Sequence, residues 1–386
     1  LDFSGSDPQV NYAMNFPSSD GDPHSHLCAL IMQYIRSVEP TVPVNCGMLR
    51  SVRTKAPKGS ICNAQFPAAG GNRAITICRC YDAVLACLNQ AIERGFAAAG
   101  AGSVGVMSVS SINRKTGRRQ VSVVQPFLGG GGGRKGIDGT NGSHAGFGYL
   151  KSVPVETVEL ETPLIFRYYG YEKDTAAPGE FRGGASMRID YENRGTPAIV
   201  TCRGLDRFRF QPWGIEGGKA GAKARILLNP GRDNERDIGK IDVLHLQPGD
   251  VVRMISPSGG GYGNPAHRAV DKVVNDVVNG IVSVERALQD YGVEVSGTGR
   301  TMTGKRVKAA ISSCDQSFSI GPERSRIESV WSPEVSAVLA TELLQCPVAL
   351  RSYWLWTLRQ RLSVKASQVT VEEVRAELDN LRRLAA

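Results

Sequence analysis

Between residues 81 and 96 apolar side chains recur at three- and four-residue spacing, with Val84, Leu85, Leu88 and Ile92 on one side of a helix, and this stripe predicts a helix facing the core. Around it, Pro40, Pro43, Pro57 and Pro67 cut residues 1–128 into short pieces, alternating turns with helical stretches. From 154 to 257 the pattern changes to short β-prone runs at 164–171, 185–191, 198–202, 207–210, 224–228 and 251–255. Their regular spacing predicts a sandwich or a barrel-like domain. Residues 271–279, closed by Gly280, and 284–291, opened by Ser283 and closed by Gly292, predict two short helices in a hairpin. After Val293 the chain is rich in Ser, Thr and Arg as far as 326 and reads as a linker or exposed loop. Order returns at the end. There Thr370 and Glu373 form a capping box, and Val371, Val374, Leu378 and Leu381 line a helical face suited to docking on the protein's own body or on a partner.

The predicted class is therefore α+β. It comprises a mixed α/β first domain at 1–153, a β-rich domain at 154–265, a helical hairpin at 266–293, and a linker with a helical C-terminal extension at 294–386. No internal repeat is evident. Leu1 is not an initiator Met, and Leu-Asp-Phe-Ser-Gly reads as a strand running into a turn, so the chain is expected to begin inside a longer protein.

Composition changes this picture in one respect. Apolar residues are 41% and charged residues 22%, as in ordinary globular proteins, but 44 glycines among 386 residues exceed the usual share of about 7% and call for tight turns and close backbone approaches. The net charge of +9 is spread along the chain in short clusters such as Arg118-Arg119 and Arg382-Arg383, which argues against nucleic acid as a partner. Nine cysteines include no Cys-x-x-Cys pair, and reduced thiols in the cytoplasm are the simplest reading; Cys78 and Cys80 point the same way only if that stretch is a strand. The most apolar late stretch, 338–358, is broken by Glu342, Gln345 and Arg351 and does not read as a membrane span.

The glycines concentrate in candidate chemistry. Gly129 to Gly133 lack Cβ atoms over five positions and are followed by Arg134 and Lys135, a combination able to cradle phosphate, carboxylate or bicarbonate on backbone N–H groups; a flexible linker explains the same letters. Gly131, Gly132, Gly133 and Arg134 are the candidate anion or substrate contacts. Asp138, Asn141 and His144 follow within seven residues, and a carboxylate, an amide and an imidazole so placed can orient water or move a proton, although a surface turn at Asn141-Gly-Ser143 also accounts for them. Glu156, Glu159 and Glu161 place carboxylates on both faces of an expected strand, and Arg182, between glycines in Gly179-Glu-Phe-Arg-Gly-Gly184, either holds a carboxylate or braces a turn. Ser258-Gly-Gly-Gly-Tyr-Gly-Asn-Pro265 reads as a flexible turn. Asp22, His24 and His26 are metal-ligand types without an evident fourth ligand. Gly299-Arg-Thr-Met-Thr-Gly-Lys305 has the spacing of a phosphate loop, yet Arg306 stands where Ser or Thr must reach magnesium, so no ATP site of the chain's own is expected.

Several strings, taken in order, resemble the hydantoinase B family of ATP-dependent hydantoinase, 5-oxoprolinase, lactamase and acetone or acetophenone carboxylase subunits. They are Asp2-Phe-Ser-Gly5, Pro43-Val-Asn-Cys-Gly47, Pro57-Lys-Gly-Ser60, Phe66-Pro-Ala-Ala69, the glycine run with Asp138-Gly139 and His144, Pro154-Val-Glu156 with Glu159, and Phe181-Arg-Gly-Gly184. Further on come Pro212-Trp-Gly214 with Gly217-Gly218, Gly249-Asp250, Gly259-Gly-Gly-Tyr-Gly-Asn-Pro265 and Tyr291-Gly-Val293, so that the likeness spans about 1–293. The resemblance implies a hetero-oligomer in which an A-type partner binds ATP with Mg or Mn and phosphorylates the substrate, while the B-type chain handles the activated species. That step is hydrolysis of a cyclic amide (hydantoin, lactam or 5-oxoproline) or, alternatively, carboxylation of a ketone with bicarbonate; a purely structural subunit is the third reading. Asp138, His144 and Glu156 are then the candidate catalytic residues, with Arg134, Asn141 and Arg182 around them. The family's divalent metal, such as Zn, is expected on sequence upstream of this chain, in a missing N-terminal segment of the B type or a separate small subunit. Residues after Val293 do not align with the family.

Overall fold

Alternation of apolar and polar residues first becomes structure at 104–112, a stretch not anticipated as a strand. There Gly105, Met107, Val109 and Ser111 are buried while their neighbours are less so, the two-residue period of a half-covered sheet. The computed structural model describes residues 1–19, 21–92, 95–113, 115–144, 150, 152–307, 318–364 and 367–385, without the side chains of 125 and 126. In chain order its elements are α1 (Ala29–Val38), α2 (Ala74–Ala91), β1 (Val104–Ile112), β2 (Arg119–Leu128), α3 (Val155–Glu161), β3 (Leu164–Tyr171) and β4 (Met187–Asn193). Next are β5 (Ala198–Arg203), β6 (Arg225–Leu228), β7 (Arg236–Asp237), β8 (Leu244–Leu246) and β9 (Val251–Ile255). The last are α4 (Val270–Val278), α5 (Val284–Tyr291), β10 (Val293–Ser296), β11 (Thr303–Arg306), α6 (Pro322–Val330), α7 (Pro333–Leu344), α8 (Val348–Leu362) and α9 (Val371–Ala385). They fall into two compact units, Leu85–Gly321 and the pair of segments Leu1–Val84 and Pro322–Ala386.

The unit Leu85–Gly321 contains two antiparallel sheets, ordered β2-β1-β5-β8 and β3-β4-β9-β6-β7. Their registers pair, for example, Val109 with Val200 and Ile189 with Met254. Met107, Val109 and Val200 of the first sheet share one buried cluster with Ile189, Tyr191, Ile226 and Met254 of the second, so the domain is a sandwich and neither sheet closes into a barrel. The two predicted short helices are α4 and α5. Ser283 caps α5 by accepting the Arg286 N–H, and Gly292 and Gly280 close the helices with φ of 65° and 69°. Two expectations need correction. The Glu156 to Glu161 stretch is helix α3, with Val158 buried beneath it, because Pro154 starts a turn that helical spacing of Val155 and Val158 continues. Residues 294–306, expected to be linker, belong to the β10–β11 hairpin, in which Val293 and Val295 are buried. Residues 308–317 lie outside the described residues.

In the other unit α7, α8 and α9 pack around Leu339, Leu343, Trp354, Leu358, Val374, Leu378 and Leu381. The predicted capping box is present: the Thr370 hydroxyl accepts the Glu373 N–H at 3.2 Å, and the Glu373 carboxylate accepts the Thr370 N–H at 3.0 Å. The apolar face of α9 therefore docks on the protein's own body. Short bridges pairing Asp2 with Lys55 and Pro8 with Ser60 organise the proline-broken start, around a small core of Phe16, Leu27, Cys62, Ile77 and Cys80. Cys78 and Cys80 lie on α2, not on a strand. Among the described residues no helix is long and apolar enough to cross a membrane.

Candidate functional site

Glycine decides the local structure of the candidate site. Segments 98–101, 129–133, 138–142, 177–184, 212–221 and 257–262 run side by side and exchange backbone hydrogen bonds without forming regular strands. Gly130 N–H donates to Pro257 O at 3.0 Å, Gly131 N–H to Thr140 O at 2.8 Å, Gly133 N–H to Gly260 O at 2.9 Å, Gly184 N–H to Gly131 O at 2.8 Å and Gly259 N–H to Gly184 O at 3.0 Å. Such bundling works only where neighbouring backbones touch. A Cβ on Gly130 would lie 1.9 Å from Gly184 O, and one on Gly132 would lie 1.8 Å from Ala98 O. Of the readings open for the run, packed interior and not flexible linker is the one the hydrogen bonds give, with the Gly131 and Gly133 amides donated to the Thr140 and Gly260 carbonyls. The turn at Ser258-Gly-Gly-Gly belongs to the same bundle.

The bundle carries a buried charge network. Arg268, only 1% exposed, meets Asp138 with two hydrogen bonds, at 2.7 and 2.8 Å, and Asp276 at 2.7 Å. Arg182 donates from Nε to Asp276 at 2.9 Å and from its terminal nitrogen to Asn141 Oδ1 at 2.9 Å. Asn141 Oδ1 also accepts the Ala185 N–H, and Asp138 accepts the Arg182 N–H, each at 2.9 Å. Two guanidinium and two carboxylate groups thus balance. Burial alone would raise the Asp138 pKa, but the Arg268 hydrogen bonds and charge, with Arg182, outweigh it and hold the carboxyl below its usual range. Burial likewise opposes the charge of Arg268, and Asp138 and Asp276 overcome it, raising that pKa. The Asp138 carboxylate, with both oxygens bonded to Arg268 and one also accepting the Arg182 N–H, holds these groups in place. Arg182 holds a carboxylate, as one of its two sequence readings has it: its charge faces Asp276.

The remaining predicted residues are placed differently. His144 pairs its backbone with Gly129, donating its N–H at 2.8 Å, and its ring lies against Gly100, where a Cβ would meet Cε1 at 2.3 Å. Its Nδ1 accepts the Gly102 N–H at 3.4 Å, and the residue is half-buried at the edge of the bundle. Arg134 starts an exposed two-residue turn, its backbone exchanging two bonds with Ile137. Glu156 is exposed in the first turn of α3, and among the described residues no hydrogen bond joins it to the network. The structure therefore brings together Asp138, Asn141 and Arg182, puts His144 beside the same glycine segment, and leaves Glu156 apart. Arg268 and Asp276 were missed because nothing local marks them; they lie 130 and 138 residues beyond Asp138, and only folding joins them.

Among the described residues no three of His, Cys, Asp and Glu converge to hold a metal ion. His24 meets the Phe16 ring edge-on, centroids 4.8 Å apart, and His26 stacks on it at 6.3 Å. The phosphate-loop lookalike is a short turn, Gly299–Thr301, leading into β11, and Lys305 lies inside that strand and not at the start of a helix whose amides could meet a phosphate.

Residues 1–265 match the family described as Hydantoinase B/oxoprolinase. The chain is 34% identical to the beta chain of the caprolactamase of Pseudomonas jessenii, over 76% of this chain and 51% of that protein. It is 28% identical to the B-type component of a putative D-/L-hydantoinase of Pseudomonas sp. strain NS671, over 77% of this chain and 50% of the relative. The crystal structure of the ATP-dependent caprolactamase from Pseudomonas jessenii superimposes with a TM-score of 0.65 at 27% identity, over 76% of this chain and 52% of that one. Acetone carboxylase shares the fold with a TM-score of 0.63 at 16% identity, over 97% of this chain and 55% of that one. The chain spans about half the length of the curated relatives it matches. With the match covering most of its residues and the ordered glycine strings forming one packed bundle, the chain belongs to the hydantoinase B/oxoprolinase family.

Proposed function

We propose that this chain is the B-type component of an ATP-dependent, cytoplasmic, multisubunit enzyme that opens a cyclic amide, a hydantoin, lactam or 5-oxoproline, after its oxygen has been phosphorylated. The observation that carries this reading is the likeness to caprolactamase in sequence and in structure together. Phosphorylating an amide oxygen turns it into a leaving group and makes the ring carbon a far better electrophile. In this reading ATP, with Mg or Mn, is bound by a hydantoinase-A-type partner, and a divalent metal such as Zn by family sequence outside this chain. Among the described residues no three of His, Cys, Asp and Glu converge to hold such a metal.

This chain's own contribution is a rigid wall. The glycine bundle and the Asp138, Arg268, Asp276 and Arg182 network fix the backbone that carries His144. His144, at the edge of the bundle, orients the attacking water or moves its proton, and the exposed Arg134 guanidinium draws the anionic substrate. Asp138, Asn141 and Arg182 act through that wall as positioning residues. Glu156 has no part in this reading.

The test is to assemble the complex with its A-type partner and measure ATP-dependent ring opening of a hydantoin, a lactam and 5-oxoproline, beside a ketone with labelled bicarbonate. Ring opening that requires this chain, and that falls on the order of a hundredfold in His144→Ala without a change in thermal midpoint, supports the proposal. Incorporated label would replace hydrolysis by carboxylation, and full turnover in a complex lacking this chain would reduce it to a structural role.

A further inference from the structure

Two thiols in the unit formed by Leu1–Val84 and Pro322–Ala386 lie within bonding reach of each other. Cys62 follows the turn at Gly59 and Ser60, and Cys80 projects from α2; their sulfurs are 3.6 Å apart. Both are buried, at 4% and 5% exposure, in the small core with Phe16, Leu27 and Ile77. A disulfide needs about 2.05 Å between sulfurs, so roughly 1.5 Å of closure completes one. Cys62 and Cys80 are among eight described cysteines that form no disulfide in the structure.

We propose that Cys62 and Cys80 form an oxidisable dithiol, a site of reversible disulfide formation driven by hydroperoxide. The Cys62 sulfur attacks one peroxide oxygen as thiolate; the O–O bond breaks, hydroxide leaves and takes up the thiol proton, and Cys62 becomes a sulfenic acid. The Cys80 sulfur then attacks the Cys62 sulfur, the S–O bond breaks, and the departing hydroxide takes the Cys80 proton as water. Two thiols and one peroxide thus give one disulfide and two waters, each sulfur losing one electron and the peroxide gaining two. Either sulfur can donate in this contact; the hydrogen bond with Cys80 draws the Cys62 thiol below its ordinary value against the opposing effect of burial, which favours Cys62 as the first sulfur oxidised.

The consequence is a staple where the core is small. The bond joins residues 18 apart and ties the Gly59 turn, whose carbonyl accepts the Gln9 N–H at 2.9 Å, to α2.

The test oxidises the purified full chain with hydrogen peroxide, alkylates it with N-ethylmaleimide under denaturing conditions, and maps it by mass spectrometry. Chymotrypsin, cutting after Tyr81, separates Cys80 from Cys87. The expected product is a Cys62–Cys80 linkage, two hydrogens lighter, reversed by dithiothreitol, with a thermal midpoint a few degrees higher. In Cys80→Ser, Cys62 should remain a sulfenic acid that dimedone traps. Recovery of both residues alkylated while the exposed Cys46 and Cys87 are oxidised, or a linkage between other pairs, overturns the proposal. The wild-type map decides this even if the variant fails to fold.

Discussion

Replacing Gly259 by Ala separates a packed glycine interior from a flexible linker. The new Cβ would sit 1.8 Å from Gly131 O and 2.3 Å from Gly131 C, whereas Cβ contacts essentially never fall below 3.0 Å, so the two segments must part by at least 1.2 Å. The hydrogen bonds at stake run from Gly259 N–H to Gly184 O at 3.0 Å and from Gly184 N–H to Gly131 O at 2.8 Å. A shift of that size takes them out of bonding range. Each buried group left unpaired costs about 1–3 kcal/mol, or about 2–6 kcal/mol for two bonds. Against a total stability of about 5–15 kcal/mol, the variant should unfold at much lower urea concentration or fail to accumulate. Gly71→Ala is the control: it is exposed, its φ is not positive, and its nearest neighbour, the Ala13 Cβ, would be 4.0 Å away, so its effect should stay within about 0.5 kcal/mol. Equilibrium urea unfolding of both variants reads the difference. A Gly259→Ala protein as stable as Gly71→Ala would refute the close-packed bundle.

Asp138→Asn should cost about 2–4 kcal/mol at neutral pH, the usual figure for a broken buried pair discounted because the Asp138 side chain is 27% exposed. Its pKa is depressed on folding, so the stabilisation it supplies is complete above the ordinary value of about 3.9 and drains away as pH falls through the lower folded value. Thermal midpoints between pH 2 and 7 should therefore fall less steeply below pH 4 in the variant than in the wild type. Leu358→Ala, at a position with no exposure among α7 to α9, should cost about 2–5 kcal/mol, read as loss of the near-ultraviolet signal of Trp331 and Trp354 at lower denaturant concentration. Ser283→Ala removes the acceptor for the Arg286 N–H and should cost about 1 kcal/mol, whereas Ser283→Asp should restore most of it in the same thermal scan.

What could be read from the chain were features decided within a few residues. Ser283 with Gly292, and Thr370 with Glu373, announce helix ends because capping bonds join neighbours in sequence. The runs at 164–171 and 251–255 announce strands because β-prone residues gather there, and they became β3 and β9. The strand β1 was also legible in its alternating Met107 and Val109, but the turn signals around it hid the period. Glu156 to Glu161 was misread because three carboxylates suggested two faces of a strand, whereas Val155 and Val158 carried the helical spacing. The glycine run showed the opposite limit. Its letters permit a linker, an anion cradle or a packed interior, since a residue without a side chain carries no local preference among them. Only the tertiary structure chose. It brought Ala98, Thr140, Gly184 and Gly259 against the run, and it supplied Arg268, 130 residues on, to neutralise Asp138, and Asp276, 94 residues on, to neutralise Arg182. The sequence by itself determined which backbones are able to touch, and folding decided which of them do, because close contact and charge pairing are properties of neighbours in space.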